Sequence, residues 1–350
     1  MYKTTDGKTL ILHGAVAAAL LVTALVFTEK VTEGASQGIG FCVNVLVPSL
    51  FPFMFIASFA AQSGACSALG KLLKKPTRAL FGLSGEFAAV IIMSVIGGYP
   101  VGAGMIAKLF SEKRITEYEA RRAAYFSVAS GAGFMVTFIG ARLLRSVEAG
   151  LCVYAAQICS VLITGIAGRF IFRNKYSKNH DSGDSTFPPL SQAVVDSAAA
   201  ATRNVIEMCG IVVLFSSLIS VIKSFWDSAA VSVALEVTRA VSELSQTHSV
   251  VLIGFAAGFG GLCVHFQIFR LLREIRINKT VFFLYRIIQG IITALLTKVF
   301  VGITGVSIPV FSSMSSPPAR SLSATALGSA LLIATGICFL FSLANNIERS

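Results

Sequence analysis

The stretch "IGGYPVGAG", residues 96–104, sets four glycines and a proline inside a run that is otherwise apolar. Gly97, Gly98, Gly102 and Gly104 favour helix poorly, and Pro100 has no N–H to give one. The long apolar segment around them, 79–110, either crosses a membrane or turns back inside one.

Composition places the chain in a membrane. Of 350 residues, 55% are hydrophobic and 13% charged, with a mean hydropathy of +0.77. Soluble domains carry roughly 25% charged residues. Further apolar segments lie near 10–27, 38–63, 122–141, 150–172, 204–223, 248–269, 281–303 and 322–345. Several approach the ~20 residues that span a bilayer as helix. The pattern predicts an all-α polytopic membrane protein, since a transmembrane barrel needs short alternating strands. Residues 10–27 follow Lys3 and Lys8 and read as a retained first span. The run is long, and no small-x-small cleavage site follows it.

The net charge of +12 fits basic cytoplasmic loops, and no motif points to nucleic acid. The seven cysteines form no CxxC pair and the four histidines do not cluster. Neither a disulfide framework nor a metal site is indicated. No HExxH, phosphate loop or nucleophile–base pattern is present, so no enzyme and no cofactor is expected.

Charge then fixes the reading of the opening stretch. Three loops are basic: Lys71, Lys74, Lys75 and Arg78; Lys108, Lys113, Arg114, Arg121 and Arg122; Arg169, Arg173, Lys175 and Lys178. All three should face the cytoplasm, which requires 79–110 to enter and leave on the same side. The segment is predicted to be a re-entrant hairpin with arms near 84–96 and 101–112. At 1.5 Å per residue each arm is roughly 20 Å long, short of the ~30 Å hydrocarbon core. Unwound backbone at that depth must be buried in protein or line a wet cavity. Broken helices of this kind form solute and ion sites in secondary transporters. The competing reading is a Gly/Pro kink that allows close helix packing.

The second half holds an echo, "IGFAAGFGGLCVHFQ" at 253–267, with Gly254, Gly258, Gly260 and Gly261. Gly98 precedes Ile115, and Gly260 precedes Ile277, by the same interval and through a similar charged turn. This predicts a second re-entrant hairpin and an inverted repeat, with seven or eight transmembrane helices in all. One feature opposes it. Arg270, Arg273, Arg276 and Lys279 would then lie outside, whereas the charge rule wants 248–269 to cross. The polar stretch "RNKYSKNHDSGDSTFPP", 173–189, separates the halves. The division expected is an anchor and loop at 1–37, a first repeat at 38–172, a cytoplasmic linker at 173–200 and a second repeat at 201–350.

Candidate solute-binding residues follow from the tips. In the first hairpin they are Gly97, Gly98, Tyr99 and Pro100, with Glu86 near its start. Glu86 reads either as a cavity carboxylate or as a first-turn acid behind a Ser84 cap. Ser127 and Ser130 lie in "SVASGAGF", which reads as a second discontinuity or as small-residue packing. In the second half the candidates are Gly260, Gly261, His265 and Gln267, with Glu236 on 229–246. That segment also reads as an amphipathic surface helix. Arg286 and Gln289 stand at a comparable depth, where Arg286 reads as snorkelling. Glu207 reads as a helix-end partner of Arg203, and Asn44 as a helix–helix hydrogen bonder.

"VPSLFPFMFIASF", "LFGLSGEFAAVIIMSVIGGYPVGAGMIAKLFSEKRITEYEARRAAYFS", "LEVTRAVSEL" and "GFGGLCVHFQI" resemble the YlbJ-type sporulation integral membrane proteins. Those carry the nucleoside-recognition (Gate) domain, which is similar to the core of concentrative nucleoside transporters. The resemblance, from about residue 38 to 300, implies two hairpins facing each other across a midplane site. By position, Glu86 and 97–104 match the first hairpin, and Glu236 with 260–267 the second. It implies a role tied to spore formation in a membrane of a Gram-positive bacterium; the location expected is the plasma membrane, multi-pass, with a cytoplasmic amino terminus. The function expected is a secondary permease for a small polar solute, nucleoside-like among the candidates, with sodium or a proton as candidate coupling cation. The lipid bilayer, the solute and other copies of the chain are the partners expected. The alternative is a non-transporting scaffold needed for spore formation.

Overall fold

The computed structural model describes residues 7–172, 188–247 and 249–306, and the regular structure among them is helical. The helices are α1 (Gly7–Val26), α2 (Thr28–Phe41), α3 (Val47–Gln62), α4 (Ala65–Leu72), α5 (Lys74–Phe81), α6 (Glu86–Gly97), α7 (Tyr99–Ser111) and α8 (Glu117–Phe126). After them come α9 (Val147–Ile171), α10 (Leu190–Lys223), α11 (Ala229–Leu235), α12 (Val237–Gln246), α13 (Val250–Phe259), α14 (Gly261–Leu271) and α15 (Lys279–Thr304). Two π-helical stretches, Cys42–Leu46 and Gly133–Leu143, complete them. Five runs are long and apolar enough to cross a membrane: 28–62, 147–171, 190–223, 250–271 and 279–304. A sixth is reached if α5 and α6, bent by 84°, count as one. The apolar part of α1 and the stretch 133–143 are shorter. The span expected at 322–345 and most of the linker lie outside the described residues.

The π-helical turn at 42–46 has a covalent cause. Pro48 has no N–H for the Asn44 carbonyl four residues back. Arg142, on the other π-helical stretch, donates to that oxygen at 2.6 Å. The Asn44 side chain bonds within its own helix, to the Gly40 carbonyl at 2.8 Å, and makes no bond between helices there.

The opening stretch folds back on itself. Gly98, with φ +87° and ψ −172°, separates α6 from α7 in a conformation that side-chain-bearing residues avoid. The two helices then run against each other, so that a Cβ on Gly102 would run into the Ser94 side chain. At the open end Arg114 meets Glu86 at 2.6 Å. A fold-back pair is therefore what the glycines and Pro100 make.

The second glycine-rich stretch does not fold back, and here the expectation is corrected. Residues 250–271 form one run, interrupted at Gly260 (φ +91°); α13 packs antiparallel along α15, and beyond the break α14 meets it through the rings of His265 and Phe269. Gly254 lies against Thr297, Gly258 against Thr293 and Gly290, and His265 against Phe282. The register falls steadily, as it does for a span and not for a hairpin. Most of these glycines serve close packing.

A different segment makes the second fold-back pair. The helices α11 and α12 pack on each other across an extended residue, Glu236 (φ −148°, ψ 117°). Lys223 ties their open end, pairing with Asp227 at 3.5 Å and Glu243 at 2.7 Å. Val237, Ala240, Val241 and Leu244 are buried, so 229–246 is not a surface helix.

The basic loops gather at one end of the molecule. Arg122 donates to the Phe81 carbonyl at 2.7 Å, and the Tyr118 hydroxyl to Phe172 at 3.3 Å. The Arg276 N–H donates to Glu117 at 3.1 Å, and the Asn278 N–H to the Tyr125 hydroxyl at 3.3 Å. The fourth basic loop, 270–279, thus joins the other three. Glu207 belongs to the same end and pairs with Arg270 at 3.0 Å, not with Arg203 as expected. The α11–α12 pair starts from the opposite end, where α10 finishes. Antiparallel contacts of Gly34 and Gly38 with residues 213–220 set that direction.

Candidate functional site

Four interruptions of helix converge at the centre. They are Gly98 between α6 and α7, residues 127–132 after α8, Glu236 between α11 and α12, and Gly260 between α13 and α14. Interrupted helices leave backbone N–H and C=O groups without helical partners. Their convergence makes a polar patch inside an apolar protein.

Tyr99 joins three of the breaks. Its hydroxyl donates to the Ala257 carbonyl at 2.8 Å and accepts from Ser130 at 2.8 Å. It also accepts from Arg286 at 3.2 Å. Close approach of the backbones supports this. A Cβ on Gly131 would lie 2.8 Å from both the Gly98 nitrogen and the Ile96 oxygen. A Cβ on Gly261 would lie 3.2 Å from the Glu236 nitrogen.

Beneath the tips is a cavity of about 50 Å³, lined by the 97–100 tip, Ser130 and Gly131, Glu236–Thr238 and Gln267. Leu46, Leu50, Met54, Phe134, Met208 and Val212 form its apolar wall. Its volume matches a few waters at most, since one water takes about 30 Å³ of liquid. A nucleoside-sized solute would enter only after the tips separate, because ligand pockets usually run from about 300 Å³ upward.

Glu236 is buried at this wall. Its carboxylate accepts from the Thr238 N–H at 2.9 Å, the Arg239 N–H at 2.8 Å and the Thr238 hydroxyl. It therefore caps α12 while facing the cavity. Gln267, on α14, donates to the Cys263 sulfur at 3.7 Å and also faces the cavity.

Five expected residues lie elsewhere. Glu86 holds the base of the α6–α7 pair through Arg114, a helix length from the tip, and does not reach the cavity. Burial works against the Arg114 charge, but the Glu86 and Glu112 carboxylates outweigh it and hold its pKa above the ordinary arginine value. Ser84 does not cap α6, and its hydroxyl is buried without a partner. Ser127 turns its hydroxyl to the Ala123 carbonyl at 2.7 Å. His265 packs edge-on against Phe259, Phe282 and Phe283, with one ring nitrogen 3.0 Å from the Phe259 carbonyl. Gly260 and Gly261 shape the break without lining the cavity.

The group that sequence reading undervalued is Arg286. It does not snorkel, being 1% exposed at the centre. Its Nε donates to Phe259 O at 3.2 Å, and Nη2 donates to Gly258 O at 2.5 Å as well as to Tyr99. Nη1 donates to Val128 O and to Gln289 Oε1, each at 2.6 Å. Gln289 in turn donates to Phe126 O at 2.8 Å and Thr164 at 2.9 Å. A signal was present: Arg286 and Gln289 are three residues apart inside an apolar helix, and an intramembrane ionisable residue calls for a partner.

The Gate family, described as Nucleoside recognition, matches residues 43–170. The sporulation integral membrane protein YlbJ of Bacillus subtilis (strain 168) is 23% identical over 271 residues. That match covers 65% of this chain and 66% of the relative, just short of two thirds of its length. No solved structure matches significantly. The matched region runs from the π-helical turn before α3 to the end of α9, and so takes in the α6–α7 pair and its break at Gly98. The chain is thus similar to the Gate nucleoside-recognition family over residues 43–170 and, separately, to a sporulation integral membrane protein.

Proposed function

We propose that this protein is a permease-like membrane protein for a small polar solute of nucleoside-like chemistry, acting in spore formation. One observation carries the reading: two fold-back helix pairs start from opposite ends and bring their breaks, Gly98 and Glu236, to one cavity. Each pair is followed by an interrupted run and then a long helix: α8 with 133–143 and then α9; α13–α14 and then α15. We take these as two inverted units, with both pairs re-entrant. Transporters built this way move one unit against the other around a midplane site. The basic end is assigned to the cytoplasm of a bacterial plasma membrane, with the amino terminus on that side. The cavity supplies an apolar wall for a ring face, and it supplies Gln267, Ser130, Thr238 and the Glu236 carboxylate for hydroxyls and amides. Alternating access then consists of parting the tips where Tyr99 holds Ala257.

A second reading, a non-transporting scaffold, is favoured by the small volume of the cavity. Thermal shift on the purified full chain with adenosine, uridine, free bases and ribose separates the two. The permease reading expects selective stabilisation that Q267L abolishes without changing the unliganded melting temperature. E86Q should lower that temperature and keep the shift. Flat responses across the panel, with no uptake into vesicles, would move the assignment to the scaffold.

A further inference from the structure

We propose that Arg286 is a tethered, permanent occupant of a site that broken helices otherwise offer to a dissociable cation, so that this protein binds no alkali cation at its centre. The guanidinium has five N–H donors. Five acceptors meet it: Gly258 O, Phe259 O, Val128 O, Gln289 Oε1 and the Tyr99 hydroxyl. No carboxylate is among them. The Tyr99 ring adds its face, 5.3 Å from the guanidinium carbon.

The character of the acceptors identifies the site. Gly258 and Phe259 end α13, and Val128 follows the end of α8, so three of the five are carbonyls at the C-terminal ends of two half-helices. Such ends carry about half a negative charge each. Two of them offset about one positive charge. Unwound carbonyls and half-helix C-termini are the groups that coordinate sodium in transporters with broken helices. Here the chain itself supplies the cation, on α15, from within the same packed layer.

The alternative for a buried arginine is simple structural glue, and it predicts something different. R286A leaves these buried acceptors without their donor, so both readings expect it to be less stable. Only a cation site predicts that a free alkali cation refills the hole. The inference deepens the permease reading but is measured without any solute, so the two can fail separately.

The experiment uses the full chain in lipid nanodiscs and follows melting in choline, sodium, potassium, lithium and dilute guanidinium chlorides at constant ionic strength. Wild type should melt at the same temperature in choline, sodium, potassium and lithium. R286A should lose stability in choline and recover most of it, saturably, in sodium, with dilute guanidinium, which refits the hole under either reading, as the positive control. R286K, which keeps the charge on a shorter donor set, should show no saturable sodium response. A saturable sodium response of wild type overturns the proposal. So does an R286A protein that folds and responds to no alkali cation. Should R286A fail to fold, the wild-type and R286K series decide it by the same criterion.

Discussion

The Tyr99 hydroxyl lies 2.8 Å from the Ala257 carbonyl, fastening the tip of the first fold-back pair to a helix 158 residues further along the chain. The same hydroxyl accepts from Ser130 and Arg286, so one oxygen serves three of the four interruptions. Y99F removes it; Ser130 also reaches the Ala257 carbonyl at 3.2 Å and can donate there, so the group left short of a partner is an N–H of Arg286. A buried orphan costs about 1–3 kcal/mol. Y99F should therefore lower the melting temperature clearly, although it deletes a single atom. A wild-type melting temperature in Y99F would show that the tip is not fastened there.

The glycines around Tyr99 should respond unequally. At Gly98 the backbone is left-handed, and a Cβ would stand 3.1 Å from the Gly131 nitrogen. G98A is expected to be strained by roughly 1–3 kcal/mol. Gly104 is helical and has open space where a Cβ would go. G104A should be neutral or stabilising by about 0.5–1 kcal/mol. Denaturation of the two variants side by side checks the order, and the reverse order would remove the fold-back at Gly98.

Glu86 and Arg114 test the base of the same pair. They meet at 2.6 Å with side chains 18% and 25% exposed. A charged hydrogen bond of this kind is worth about 1.5–3 kcal/mol when little solvated, and partial exposure reduces that. E86Q and R114Q should each destabilise, and the double variant should fall well short of the sum. An additive double variant would mean that the two ends are not held by this contact.

The first fold-back pair was legible because its turn needed glycine and Pro100 stands at the start of the returning helix. The second was not, because its tip contains neither residue. Glu236 breaks the helix with extended backbone open to any side chain and then caps α12 with its own carboxylate. The glycine count pointed to 253–267 instead. There Gly254 and Gly258 make room for Thr297, Thr293 and Gly290 on α15, and Gly260 alone marks a break. Small residues for turning and small residues for packing look alike in a one-dimensional reading. The charge rule groups 270–279 with the other basic loops, and that is the end of the molecule where it lies. Arg286 was undervalued for another reason: most of its partners are backbone carbonyls, which every residue carries.

That agreement between charge and packing yields the sharpest test of topology. Glu112 and Glu274 lie at the basic end, and Asp227 lies at the other, beside Lys223. Single cysteines placed at these positions in a cysteine-free background can be labelled with a membrane-impermeant maleimide, in intact cells and in inverted vesicles. E112C and E274C should react only in inverted vesicles, and D227C only in cells. Reaction of E274C in intact cells would return 250–271 to a hairpin, separate the fourth basic loop from the other three, and leave the α11–α12 pair without a facing partner across the cavity.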